Sequence, residues 1–225
     1  MPIAAARRSR TRLPAAPRLP RLIRRAAWGA DESLRFDPDG AEIWPRGWTD
    51  VRRLVVHHTS TPNDESDPAA RVRAIYEFHA LERGWGDIGY HLLVDEAGNL
   101  YEGRSGAAGT LDAAPGVIGA HVYGHNAGTL GVALIGTLTD QRPTAPALAT
   151  AVALLGALAY RHGIDPGERW SNAGGRGSVP TICAHRDLGA TSCPGDACYE
   201  AMPELRIAAA AAVRAHSGRP SEACR

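Results

Sequence analysis

RRLVVHHTS (Arg52–Ser60) places Leu54, Val55 and Val56 directly ahead of two histidines and a polar turn. A short apolar run bounded by charge on one side and turn residues on the other is the pattern of a buried strand. Arg53–His58 is therefore expected to be a strand. Neighbouring side chains on a strand point to opposite faces. Only one of His57 and His58 is thus expected to reach a site, while the other packs or hydrogen-bonds elsewhere. The strand ends where a polar loop begins, and such strand-to-loop junctions are where α/β proteins keep their chemistry.

The segments around this strand alternate in kind. TPNDESDP (Thr61–Pro68) reads as a loop, with Pro68 after Asp67 marking a helix start. From Ala69 to Glu82, Val72, Ile75, Tyr76, Phe78 and Leu81 recur at helical spacing, and Gly84 ends the run. Tyr90–Val94, DEAGN and then Leu100–Tyr101 read as a hairpin with Gly98 in its turn. AHVYGHNAGTL (Ala120–Leu130) is a glycine-broken loop, and Leu130–Gly136 is a second buried strand. Ala145–His162 is expected to be a long helix stopped by Gly163. The Gly-rich SNAGGRGS (Ser171–Ser178) reads as a loop, TICAHRD (Thr181–Asp187) as a last short strand, and Ala197–Ala215 as a final helix. This order predicts an α/β fold, a single domain whose central mixed β-sheet is flanked by helices, with the active site at strand ends. The domain is expected over 22–216, between an Arg-rich tail at 1–21 and a short tail at 217–225.

Bulk composition excludes several classes. In 225 residues, 44% are hydrophobic and 22% charged, as in ordinary globular domains. No run of about 18 apolar residues occurs, so no transmembrane segment is expected. The net charge of +1 hides an asymmetry: eight arginines and no acid fall in residues 1–25, leaving 17 arginines against 24 carboxylates beyond. The basic tail lacks aromatics and is expected to be disordered. No apolar stretch of the kind that makes a secretory signal follows its arginines. Nucleic acid is not an expected partner. The four cysteines, Cys183, Cys193, Cys198 and Cys224, form no paired CxxC knuckles, which argues against a four-thiolate structural zinc. With Cys193 as a ligand, at most one disulfide remains among the other three.

Of nine histidines, His79, His162 and His216 read as core, surface or helix-end residues. His57 and His185 each end an apolar strand, and Cys193 returns from the turn-rich loop beyond His185. Two imidazoles and one thiolate, with a fourth position open, are the ligand set of a catalytic zinc. Spacing alone leaves that reading beside one of scattered structural residues.

Five ordered stretches bear on the choice: RRAAWGA (Arg24–Ala30), VVHHTS (Val55–Ser60), DIGYHLLVDEAGNLYEGR (Asp87–Arg104), GTLGVALIGT (Gly128–Thr137) and HRDLGATSCPGD (His185–Asp196). Together they resemble the peptidoglycan recognition protein and type 2 N-acetylmuramoyl-L-alanine amidase family over about Leu22–Arg206. The resemblance implies Zn²⁺ on His57, His185 and Cys193, a catalytic tyrosine at Tyr90, and Thr191 where a phage member carries lysine. It also implies a substrate groove bordered by His121 and Asn126. Trp85 would stack on a sugar or cap the core, and Arg186 and Asp187 would orient the His185 loop or form an ordinary ion pair. The implied activity is zinc-dependent hydrolysis of the amide between N-acetylmuramic acid and L-alanine. The alternative is a non-catalytic recognition module, against which Cys193 argues, because non-catalytic members commonly lose it. Peptidoglycan or muropeptides are the expected partners of a monomer, and an extracellular or cell-wall location is inferred from that substrate.

Overall fold

In the computed structural model, described over residues 18–112, 115–171 and 177–217, ten strands and four α-helices follow one another along the chain. They are β1 (Leu22–Ile23), α1 (Arg25–Trp28), β2 (Trp48–Thr49), β3 (Arg53–His58), α2 (Pro68–Glu77), β4 (Leu92–Val94), β5 (Leu100–Glu102), β6 (Gly116–Val117), β7 (Thr129–Leu134), α3 (Ala145–Arg161), β8 (Arg169–Ser171), β9 (Ser178–Pro180), β10 (Ile182–Ala184) and α4 (Asp196–Ser217). Six strands form the central sheet in the order β1-β5-β4-β7-β3-β10. All neighbours run parallel except the β4–β5 hairpin, so the sheet is mixed.

β3 lies between β7 and β10 and is buried from Leu54 to His58. Its alternation sorts the core into two layers. Leu54 and Val56, with Leu130, Val132 and Ile182, pack beneath α3 and α4 through Leu154, Leu155, Leu158, Met202 and Leu205. On the opposite face, Leu93, Tyr101 and Ala133 meet Val72, Ile75 and Tyr76 of α2 together with Trp28. The result is one domain, a mixed sheet flanked by helices on both faces.

The helix ends follow from local chemistry. Asp67 caps α2 by accepting the Ala70 N–H at 3.0 Å, with Pro68 in the first turn. Thr144 caps α3 through the Ala147 N–H at 3.3 Å. The expected helix over Ala69–Glu82 is not uniform: α2 ends at Glu77 and a π-turn runs Phe78–Glu82. The hairpin strand begins at Leu92, yet its pairing extends backward, because the Gly103 and Arg104 N–H groups donate to the His91 and Tyr90 carbonyls at 2.9 and 2.8 Å. A side chain at Gly103 would meet the Tyr90 carbonyl at 2.3 Å, so only glycine permits this approach. The stretch read as a Gly-rich loop is flanked by a small hairpin, β8 against β9. Its three-residue strands, with Val179 and Pro180 buried but Arg169, Ser171 and Ser178 exposed, are too short to show the apolar alternation that would betray them; backbone pairing alone defines them. Within the expected loop, residues 172–176 lie outside the described residues, as do residues 1–17 of the tail expected at 1–21 and residues 218–225 of the tail expected at 217–225.

The N-terminal segment is tied to the hairpin by buried charge. Asp87 accepts from Arg25 at 2.9 Å and Arg104 at 3.1 Å, and also from the Ile88 and Ser105 N–H groups. Cys183, Cys193 and Cys198 are buried free thiols, and Cys224 lies outside the described residues. No helix among the described residues is long and apolar enough to cross a membrane.

Candidate metal centre

The parallel register of β3 and β10 builds the site. Ala184 pairs with Val56, so the residue after each, His185 and His57, come side by side at the same sheet end. Their ring centroids are 4.7 Å apart. The chain then makes one 3-10 turn over His185–Asp187 and loops back to Cys193. One ligand atom from each of His57, His185 and Cys193 lies within 4.8 Å of the others. The two adjacent histidines part as strand alternation requires. His57 faces this cluster, whereas His58 points to the helix face, where its Nδ1 accepts the Leu138 N–H at 3.1 Å.

The geometry suits a tetrahedral cation. His57 Nδ1 and Cys193 Sγ are 3.6 Å apart. Ligands held by Zn–N of about 2.05 Å and Zn–S of about 2.3 Å at tetrahedral angles would stand about 3.6 Å apart. The protonation chemistry also fits. Burial, then the neighbouring His185, His91 and His58, holds His57 well below the usual imidazole range, and burial lowers His185. Both rings are therefore neutral at pH 7, the form in which an imidazole can serve as a ligand. Burial pushes the Cys193 thiol up to about 11, opposed by the His58 backbone and Arg186. Such a sulfur becomes a thiolate at neutral pH when a bound cation displaces its proton into solvent.

Arg186 and Asp187 hold the His185–Cys193 loop in shape. The Arg186 backbone N–H donates to the Cys193 carbonyl at 3.0 Å, and its guanidinium reaches the Cys193 and Ser192 carbonyls and the Asp196 carboxylate. Asp187 accepts from the Ala184 N–H and the Tyr199 hydroxyl, each at 2.8 Å. Thr191 Oγ1 accepts the Cys193 N–H at 3.1 Å. That bond uses a lone pair of the hydroxyl and leaves its proton available.

Beside the cluster lies a cavity of about 560 Å³, lined by Thr59, Arg71, Phe78, His79, Trp85 and Tyr90, with His121 and His185 also on its wall. The Tyr90 ring centroid is 5.3 Å from that of His57. Burial, followed by the Cys193 charge, raises the Tyr90 phenol, so it remains a proton donor at neutral pH. Asn126 directs its Oδ1 into its own loop, accepting the His121 and Val122 N–H groups at 2.8 and 2.9 Å. His121 reaches the cavity wall, yet its Nδ1 lies 2.9 Å from His57 Nε2.

Sequence reasoning passed over two features. His79, read as bland, lines the cavity with its ring 5.0 Å from Trp85 and 5.4 Å from Tyr90. Its Nδ1 accepts the Gly89 N–H at 3.2 Å, and burial, then Arg83, lowers its pKa to about 4. The π-turn that carries it interrupts the helical periodicity by which it was judged. The second is the His57–His121 contact, between residues 64 apart in the chain, for which no local pattern exists.

A family model described as N-acetylmuramoyl-L-alanine amidase matches residues 47–196, two-thirds of the chain and all of the site just described. The chain belongs to that family. Among relatives, it is similar to the N-acetylmuramoyl-L-alanine amidase of Homo sapiens, with 33% identity over 187 residues, covering 81% of this chain and 28% of that one. The chain spans less than a third of the length of that protein and of two further mammalian amidases. It is also similar to peptidoglycan recognition protein 1 of Bos indicus, with 29% identity over 81% of this chain and 83% of that one. A solved structure of peptidoglycan recognition proteins LCa and LCx with tracheal cytotoxin has a matching chain, with TM-score 0.62, 28% identity, and coverage of 81% and 95%.

Proposed function

We propose that the protein acts on peptidoglycan outside the cytoplasm, hydrolysing the amide between N-acetylmuramic acid and L-alanine with Zn²⁺ held by His57, His185 and Cys193. The observation that carries this reading is the convergence of two neutral imidazoles and a thiol on one point beside an open cavity. Zinc bound there would supply a Lewis acid for the scissile carbonyl and lower the pKa of water from about 15.7 toward about 7.

The chain's own groups supply the rest. Tyr90, kept protonated by its surroundings, would donate to the oxyanion that develops as the carbonyl is attacked. One such donor is worth about 3–4 kcal/mol. The Thr191 proton is left to orient the attacking water, since its oxygen is engaged with the Cys193 N–H. The ring edge of His121 would border the bound substrate, while Asn126, its Oδ1 held by the His121 and Val122 N–H groups, would brace that loop from outside the cavity lining; the cavity is large enough for a sugar with part of a peptide stem.

A second reading, a recognition module that binds muropeptides without cutting them, is favoured by the recognition proteins among the relatives. The intact ligand set and Tyr90 favour hydrolysis. The test is release of free stem peptide from purified cell wall, followed by mass spectrometry. Hydrolysis predicts release that a chelator abolishes and added zinc restores; wall binding with no release under any metal condition would establish the module instead.

A further inference from the structure

The polarity of the hydrogen bonds behind His57 can be traced from a group that has no choice. The His125 carbonyl can only accept. Thr129 Oγ1 lies 2.6 Å from it and 3.1 Å from the Asn126 carbonyl, so the single hydroxyl proton of Thr129 is committed there. Thr129 Oγ1 can then only accept from His121 Nε2, 3.2 Å away. A neutral His121 with its proton on Nε2 presents a lone pair at Nδ1. The His57 Nε2, 2.9 Å from that lone pair, must donate. Its Nδ1 is left bare, and this is the nitrogen 3.6 Å from Cys193 Sγ.

From this chain we infer that His121 and Thr129 are positioning residues that fix His57 in the Nε2–H tautomer and aim its Nδ1 at the cation. The inference rests on the reading of His57 as a metal ligand and deepens it. Both ring nitrogens of His121 are spent within the protein, so His121 acts through His57, with only its ring edge left for a ligand. The backbone is shaped to seat the ring: a Cβ on Gly131 would stand 2.6 Å from His121 Cγ and 2.7 Å from Nδ1. Glycine in the middle of a buried strand sacrifices packing, and here the space it frees is filled by the imidazole. Groups that orient a metal-bound histidine this way are worth about ten- to hundredfold in metal affinity.

The test uses the full chain, with zinc affinity measured by chelator competition and the His57 tautomer read from imidazole nitrogen chemical shifts in the metal-free protein. Wild type should bind one zinc per chain and show the Nε2–H tautomer. Thr129→Val should mix the tautomers and weaken zinc binding about tenfold, and His121→Leu should weaken it by up to about a hundredfold. Thr129→Ser, which keeps the hydroxyl, should restore both readouts. If His121→Leu fails to fold, the two Thr129 variants carry the test. Wild-type tautomer and affinity in Thr129→Val would overturn the inference, as would a Thr129→Ser protein as impaired as Thr129→Val. Failure of the wild type to bind zinc at all would instead overturn the metal reading, while the tautomer shift would still report on the hydrogen-bond chain.

Discussion

Beneath α3 and α4, the sheet offers Leu54, Val56, Val132 and Ile182, none more than 1% exposed, to an equally buried layer of leucines. On its other face His57 and His91 are completely buried and His121 is 7% exposed. β3 supplies both faces, and all these residues are buried, so depth does not separate core from site. What separates them is how each buried group is satisfied. The leucines need only close packing, whereas each imidazole needs a partner for both nitrogens. His91 finds the Val117 carbonyl and the Gly131 N–H at 2.7 and 2.9 Å. His57 has His121 on one nitrogen at 2.9 Å and Cys193 Sγ at 3.6 Å from the other, where the proposed cation would sit.

The comparison can be broken from either side. Cys193→Ala should have the largest effect: bound zinc should be lost, hydrolysis should fall to background, and the fold should remain. Metal content unchanged in that variant would show that the ligand set is wrong. On the opposite face, Leu154→Ala should do the reverse, costing about 2–5 kcal/mol of unfolding free energy while folded molecules keep their zinc. Equal zinc loss in the two variants would mean that the faces are not independent.

Acid should act on the histidine face, and His91 shows the sign. Burial, opposed by the Val117 carbonyl and assisted by Arg104, lowers His91 from 6.5 to about 4. Above both values the ring is neutral, folded or unfolded, and contributes no pH dependence. Below 6.5 the unfolded chain takes up a proton that the folded protein refuses until about pH 4. Stability should therefore fall as pH drops through that window, by about 3 kcal/mol from this residue, and level off beneath it. Urea midpoints unchanged between pH 7 and 4 would contradict this. The most local effect is that of Tyr90→Phe, which should slow turnover about a hundredfold with zinc content and stability near wild type. Normal turnover would remove the phenol from the mechanism.

Much of this layout was legible along the chain. β3 matches its expected span because Leu54–Val56 are apolar and flanked by punctuation, and α3 because its apolar residues run on from a Thr144 cap to Gly163. The two-residue strands β1, β2 and β6 carry no periodicity to read, since two residues cannot alternate convincingly. β1 exists because Leu22 and Ile23 pair with Leu100 and Tyr101 far along the chain. At the site, the family resemblance singled out His57, His185, Cys193 and Tyr90, and the structure brings the first three together with Tyr90 beside them. The proximity of His121 to His57, and the flat seat at Gly131 beneath its ring, had no such signal.

By itself the sequence determined which of the longer segments become strands and helices, which donor types end them, and that His57 and His58 must face opposite ways. Those properties are local, set by side-chain alternation, capping and the chemistry of each residue. Only the tertiary structure decided that β10 lies parallel to β3 with Ala184 beside Val56, which puts two remote histidines at one point. It likewise decided that a threonine and a backbone carbonyl set which nitrogen His57 presents. Strand register and hydrogen-bond direction join residues tens of positions apart, so they come into being only when the sheet assembles.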